Sequence, residues 1–162
     1  MVEDSDIATH EDPAWRDRTN YIVRLDLAPH EMPGKWEQIW TRTDDHKSFE
    51  ICCIPFFIYG VSLGDTLKID LDRRTYVIAH KSGRRTIRAA FTDDAAAHCE
   101  HDRLHDALVG RLGCMVEFRA GRHYTAIDIT TNEQAAAVIE VLAPLARADQ
   151  LIWEWADPVQ QD

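Results

Sequence analysis

The chain has 162 residues, 45% hydrophobic and 28% charged, which is the balance of a folded protein and not of a disordered or fibrous one. Its 28 acidic and 18 basic residues leave a formal charge of -10, a field that repels phosphate backbones and argues against a nucleic-acid partner. No apolar run approaches the roughly 20 residues of a membrane span, and the acidic N-terminus lacks a signal peptide's basic-then-apolar order, so the expectation is a cytoplasmic protein with no membrane role.

Residues 1–18 carry Glu3, Asp4, Asp6, Glu11, Asp12 and Asp17, a composition too polar to offset ordering entropy by burial; it predicts a flexible acidic tail. A β-rich subdomain is expected over 19–83. In Tyr21 to Leu27, Tyr21, Val23, Leu25 and Leu27 alternate with polar residues as a half-buried strand requires. Further strands are predicted at Lys35 to Thr43, Phe49 to Ile54, Thr66 to Leu71 and Thr75 to Lys81, with turn residues between them. Strands without an intervening helix point to a small antiparallel β-barrel or a curled sheet. The adjacent Cys52 and Cys53, with Cys99 and Cys114, form no Cys-x-x-Cys motif and read as reduced, mostly buried thiols.

From 84 to 158 the pattern becomes β-α-β-β-α-β, the ferredoxin-like order, followed by a short tail at 159–162. Thr86 to Phe91 is a strand, and Asp93 or Asp94 can cap a helix carrying Ala97, Leu104, Leu108 and Leu112. Cys114 to Arg119 and Tyr124 to Thr130 form a hairpin. Thr131 to Gln134 is a capping box opening a helix that Pro144 should kink or end, and Leu151 to Trp155 is the last strand. The inward set (Ile87, Ala89, Val116, Phe118, Ile127, Ile129, Leu151, Trp153, Trp155) leaves Arg88, Glu117, Arg119, Asp128 and Glu154 on the other face, with Arg88 expected between Asp128 and Glu154.

His98, His101, Asp102 and His105 recur at helical spacing beside the apolar stripe. His98, His101 and His105 are therefore the residues that could approach a metal, although no His-Glu-x-x-His motif accompanies them and no metal or other cofactor is expected. Gly-x-Ser-x-Gly is absent, since Ser62 in Gly60 to Gly64 fails its spacing, and neither a P-loop nor a Gly-x-Gly-x-x-Gly turn occurs. Aromatic side chains in the first half (Trp36, Trp40, Phe56, Phe57), together with Asp65, are the candidate binding residues, because such rings concentrate at binding hot spots.

Glu37 to Trp40, Ile54 to Phe57, Gly60 to Asp65 and Ser82 to Arg88 together resemble an uncharacterised bacterial family, domain of unknown function four-two-six-five, over about residues 20 to 156. The resemblance implies a domain extent and no catalytic residue. The composition and the missing motifs lead to the expectation of a non-catalytic binding protein with a cationic protein partner, an immunity-type antagonist being its specific form. The alternatives are a small-molecule-binding regulatory domain built on the aromatic residues and a metal-dependent enzyme built on the histidine-rich helix face.

Overall fold

A computed structural model describes residues 6–119 and 121–157. The first sheet contains β1 (Ile7–Ala8), β2 (Tyr21–Asp26), β3 (Trp36–Arg42), β4 (Ser48–Ile51), β5 (Thr66–Asp70) and β6 (Thr75–His80). β3 is its centre. One edge of β3 pairs antiparallel with β2 along its length, while the other is shared by β1, parallel at Trp36 and Glu37, and β4, antiparallel at Thr41 and Arg42. β5 and β6 extend the sheet antiparallel from β4, with a register irregularity at Thr66 and Leu67. Alternation does the sorting: Val23, Leu25, Ile39, Phe49, Ile51 and Leu67 face one core.

Among the described residues this sheet does not close into a barrel. β6 pairs only with β5, and its Val77 and Ile78 remain exposed, so it ends as an open edge strand. Strand β4 stops at Ile51, three residues short of the predicted Ile54, because the backbone N–H groups of residues 54 and 56–58 turn away to side-chain carboxylates.

The second sheet contains β7 (Arg85–Phe91), β8 (Val116–Phe118), β9 (Tyr124–Ile129) and β10 (Leu151–Trp155), ordered β10-β7-β9-β8 with every pair antiparallel. Helices α1 (Asp94–His105) and α2 (Asn132–Arg147) share one core with its strands, where Leu104, Leu108, Val138 and Leu142 meet Ile87, Ala89, Ile127 and Ile129. The architecture is thus α+β, mostly sheet with two helices. No helix is long and apolar enough to cross a membrane among the described residues.

Both helix starts follow their sequence signals. Asp93 accepts from the Ala96 amide at 2.7 Å, and Thr131 accepts from the Gln134 amide at 3.1 Å. In the reciprocal bond of the second cap the Thr130 amide, not that of Thr131, donates to Gln134 Oε1. Two helix ends differ from expectation. α1 passes into a π-helical turn over Asp106–Arg111 before Gly113, and α2 runs past Pro144 to Arg147. Proline removes only its own bond to the preceding turn, and in the last turn its carbonyl still accepts from the Ala148 amide.

The expected flexible tail is also corrected. Residues 6–18 lie against both sheets: β1 pairs with β3, Trp15 donates its amide to the Cys52 carbonyl at 2.9 Å, and His10 is buried. Residues 1–5 and the predicted tail at 159–162 lie outside the described residues. Gly64 shows how tightly this segment is seated. Its φ is +80°, and a Cβ there would lie 3.1 Å from Trp15 Cη2 and 3.2 Å from Ser82 Cβ. Gly64→Ala is expected to lower unfolding free energy by about 1–3 kcal/mol, read as a lower urea midpoint at unchanged slope.

Candidate functional site

The two sheets meet along a seam whose apolar part is small: Ile54, Phe56, Leu63 and Ala126, with Trp15, Phe57 and Tyr124 at its margin. The rest of the seam is polar. Glu37 points inward from β3 between positions occupied by Leu25 and Ile39, and Glu117 enters from β8 on the face away from the helices. Between them lies His10, stacked on Phe56 at 4.4 Å, with Nε2 3.1 Å from Glu37 Oε1 and Nδ1 bonded to Glu117 Oε2.

Each ionised carboxylate only accepts, so a ring that donates to both must carry both protons. Burial by itself would lower the His10 pKa; Cys53 and the two carboxylates override it and raise it well above the ordinary histidine value. Burial likewise pushes the Cys53 thiol up, against the pull of His10 beside it. Burial would raise Glu37, but His10 and the amides beside it hold its carboxyl below the usual range. Those amides belong to the loop after β4: Glu37 accepts from Phe56, Phe57 and Ile58 at 2.5, 3.0 and 3.1 Å. Glu117 accepts from Ile54 and Ala14 at 2.7 and 2.9 Å. One imidazolium and two carboxylates therefore tie together the N-terminal segment, the β4–β5 loop and both sheets. Cys53, His10 and Glu117 carry the residue types of a nucleophile and its base, yet all three are buried, so the cluster reads as a structural clamp.

The candidate residues read from the sequence separate. Phe56 is fully buried against His10, and Phe57 is partly buried beside Tyr124 with the Arg119 guanidinium 5.1 Å over its ring. Trp36 and Trp40 occupy the opposite face of β3 from Glu37, each under an arginine, Arg74 at 4.8 Å and Arg16 at 5.2 Å. Asp65 is buried; it accepts from the Ser62 and Ser82 amides, both at 2.8 Å, and binds Lys81, which closes the glycine-bounded loop. These five do not line one pocket. Glu37, which the sequence reading did not single out, organises the backbone of two of them, Phe56 and Phe57. Its signal was an acid placed in phase with Val23, Leu25 and Ile39 on the buried side of a strand.

A second polar cluster lies further along the seam. Arg88 is 1% exposed, donates to the Ile58 carbonyl, and lies 4.7 Å under the Tyr59 ring. The Tyr59 hydroxyl donates to Glu154 at 2.7 Å, and its amide donates to His30 Nδ1 at 3.3 Å. Burial, and then Arg88, lower the His30 pKa, matching a neutral ring whose Nδ1 accepts. Arg88 faces Glu154 across β10 as expected, but across β9 it faces Ala126. Asp128 is two residues further on, opposite Thr86, and bonds Arg84 instead. Alternation alone leaves this register free in steps of two.

On the helix side, His101 does not lie beside the apolar stripe but within it, buried between Ala97 and Leu104 and packed on Phe118 at 4.6 Å. His98 and His105 are exposed, and the His101 and His105 rings stack 6.5 Å apart. Among the described residues no group of three or more His, Cys, Asp or Glu is arranged to hold a metal ion. A groove of about 540 Å³ runs here, lined by Glu11, His101, Asp102, His105, Phe118 and Arg119 among others. Asp94 pairs with His123 at 2.7 Å, and Asp102 lies 3.3 Å from His101 and 3.6 Å from Arg122, both carboxylates standing in solvent.

Residues 37–155 match the family model described as Domain of unknown function (DUF4265), and the chain belongs to that family. A solved structure described as a novel crystal structure of a hypothetical protein from Neisseria gonorrhoeae aligns with a TM-score of 0.62 at 19% identity, covering 84% of this chain and 92% of that one; the likeness is one of fold. No curated protein matches the chain.

Proposed function

We propose that this member of the Domain of unknown function (DUF4265) family is a non-catalytic cytoplasmic protein that binds a cationic protein partner, an immunity-type antagonist being the form that fits it best. The observation that carries the reading is a division of charge. The ionisable groups with chemistry to offer (His10, Cys53, Glu37, Glu117) are committed to the interior, whereas Asp93 to Asp106 presents five carboxylates against one guanidinium on and beside α1. Glu11 brings a further carboxylate to the groove beside α1, which Arg119 and Arg122 also line. An acidic surface of this kind speeds encounter with a positive one and repels competitors of its own sign. The order β10-β7-β9-β8, with α1 and α2 on one face, supports a ferredoxin-like reading of residues 84–158.

Neutralising the α1 carboxylates tests this reading. The triple variant Asp94→Asn, Asp102→Asn, Asp106→Asn alters only exposed carboxylates and should keep the wild-type melting temperature within a few degrees. The wild-type chain is expected to retain a stoichiometric protein from native-cell lysate at low salt, with affinity falling as salt rises. The triple variant should bind that protein at least tenfold more weakly. Equal binding by the variant, or no stoichiometric partner, removes the proposal.

A further inference from the structure

Among the described residues the Arg88 guanidinium is a buried charge with little compensation. Burying an arginine requires paired, well-directed acceptors, and charge-assisted bonds to carboxylates run at about 2.7–2.9 Å. Among the described residues the hydrogen bond of Arg88 goes to a neutral carbonyl, that of Ile58, and its ion-pair partner Glu154 stays 3.9 Å away with the carboxylate turned to the Tyr59 hydroxyl. Its Nε is buried with no hydrogen-bond partner among the described residues. Thr86 to Ala90 alternate along β7, so Arg88 and Ala90 share the face away from the helices. Tyr124 on β9 and Ile152 on β10 stand opposite Ala90. The first half of the chain covers this face at Ala126 and, through Ile58 and Tyr59, at Arg88, and the face opens beside Ala90. Because Ala90 is small, a depression of about 140 Å³ remains there, lined by Arg88, Ala90, Tyr124, Ile152, Glu154 and their neighbours.

We infer that this depression is a binding site for a small organic monocarboxylate with a short apolar body. The carboxylate meets the Arg88 guanidinium and supplies the anionic acceptor that its buried Nε–H lacks. The apolar body lies on Ala90 between the Tyr124 ring and Ile152, which is 65% exposed without a ligand. A space of this size matches an acid of about four to seven carbons, since a cavity of about 150 Å³ holds a benzene ring. Glu154 is half exposed and its long contact with Arg88 makes it a competitor, which the incoming acid displaces toward solvent. This site faces away from the α1 groove and is independent of the protein-partner reading.

The probes are acetate, butyrate, hexanoate and benzoate, with benzamide as the uncharged control, followed by amide chemical shifts and melting temperature on the whole chain. Butyrate and benzoate are expected to bind saturably in the micromolar-to-millimolar range of such small ligands, to shift Ala90, Tyr124 and Ile152, and to raise the melting temperature by about 2–4 °C near saturation. Benzamide should bind at least tenfold more weakly. Ala90→Leu fills the floor without touching the guanidinium and should abolish binding in a chain that still folds. Arg88→Lys should weaken binding at least tenfold, and Glu154→Gln should strengthen it severalfold by removing the competitor. Absence of saturable binding by every acid at 20-millimolar-scale concentrations, on the order of the weakest affinity expected, overturns the inference. So does equal binding by benzamide, or binding unchanged in Ala90→Leu.

Discussion

His10→Ala is expected to lower unfolding free energy by about 3–5 kcal/mol, the cost of stranding buried charges by removing their partner. Two carboxylates depend on that ring, Glu37 at 3.1 Å and Glu117 through Nδ1, and among the described residues neither has another cation in contact. The measurement is urea unfolding at several pH values, because linkage gives the wild-type curve a defined shape. The His10 pKa is raised in the folded chain, so its contribution is complete below the unfolded histidine value of about 6.5 and is lost progressively as pH rises through the folded value. The Glu37 pKa is lowered, so its contribution is present above the unfolded value of about 4.3 and is lost as pH falls through the folded one. The clamp is therefore strongest between roughly pH 4.5 and 6.5. His10→Ala should flatten the alkaline decline; a variant as stable as wild type at pH 6, with the decline intact, would show that the ring carries no such load.

Glu37→Gln should cost about 2–4 kcal/mol, slightly less, since the amide keeps one acceptor oxygen. Its nitrogen, however, is a donor pointed at donors: the Phe56, Phe57 and Ile58 amides converge on this carboxylate. Hydrogen exchange should locate the damage, with the 54–58 amides losing protection before the strand cores do. Because His10 and Glu37 touch, the double variant should be less destabilised than the sum of the singles by more than about 1 kcal/mol. Additive effects would mean that the ring and the carboxylate act separately.

Period-two and period-3.6 patterning were enough to place β7, both helix starts and β10 to within a residue or two, because each carries its burial pattern in its own residues. Asp93 and Thr131 announced their caps for the same local reason. What escaped reading depends on distant pairs. His10 looked like part of an acidic tail because composition averages over neighbours, whereas its partner Glu117 is 107 residues away. Glu37 sat between two tryptophans that attract notice as binding residues, yet the strand's alternation leaves Trp36 and Trp40 half-buried on one face and turns the acid to the fully buried one. His101 showed the converse: counted among polar residues, it occupies an apolar position because one face of its ring packs on Phe118. For Arg88, β-pairing was legible but β9 slid by one pleat, so the expected neighbour Asp128 went to Arg84 and the guanidinium was left short of an anion.

The clamp also separates two lengths that are readily equated. Kinship is detectable from residue 37 onward, but the counter-ion for Glu37 and Glu117 arrives from residue 10, and β1 covers the edge of β3 at Trp36 and Glu37. A truncated polypeptide beginning at Glu37 would hold two like charges in one dry crevice, and must either take up a proton there or let the sheets come apart. In this chain the autonomous folding unit is longer at its leading end than the span by which its relatives are recognised.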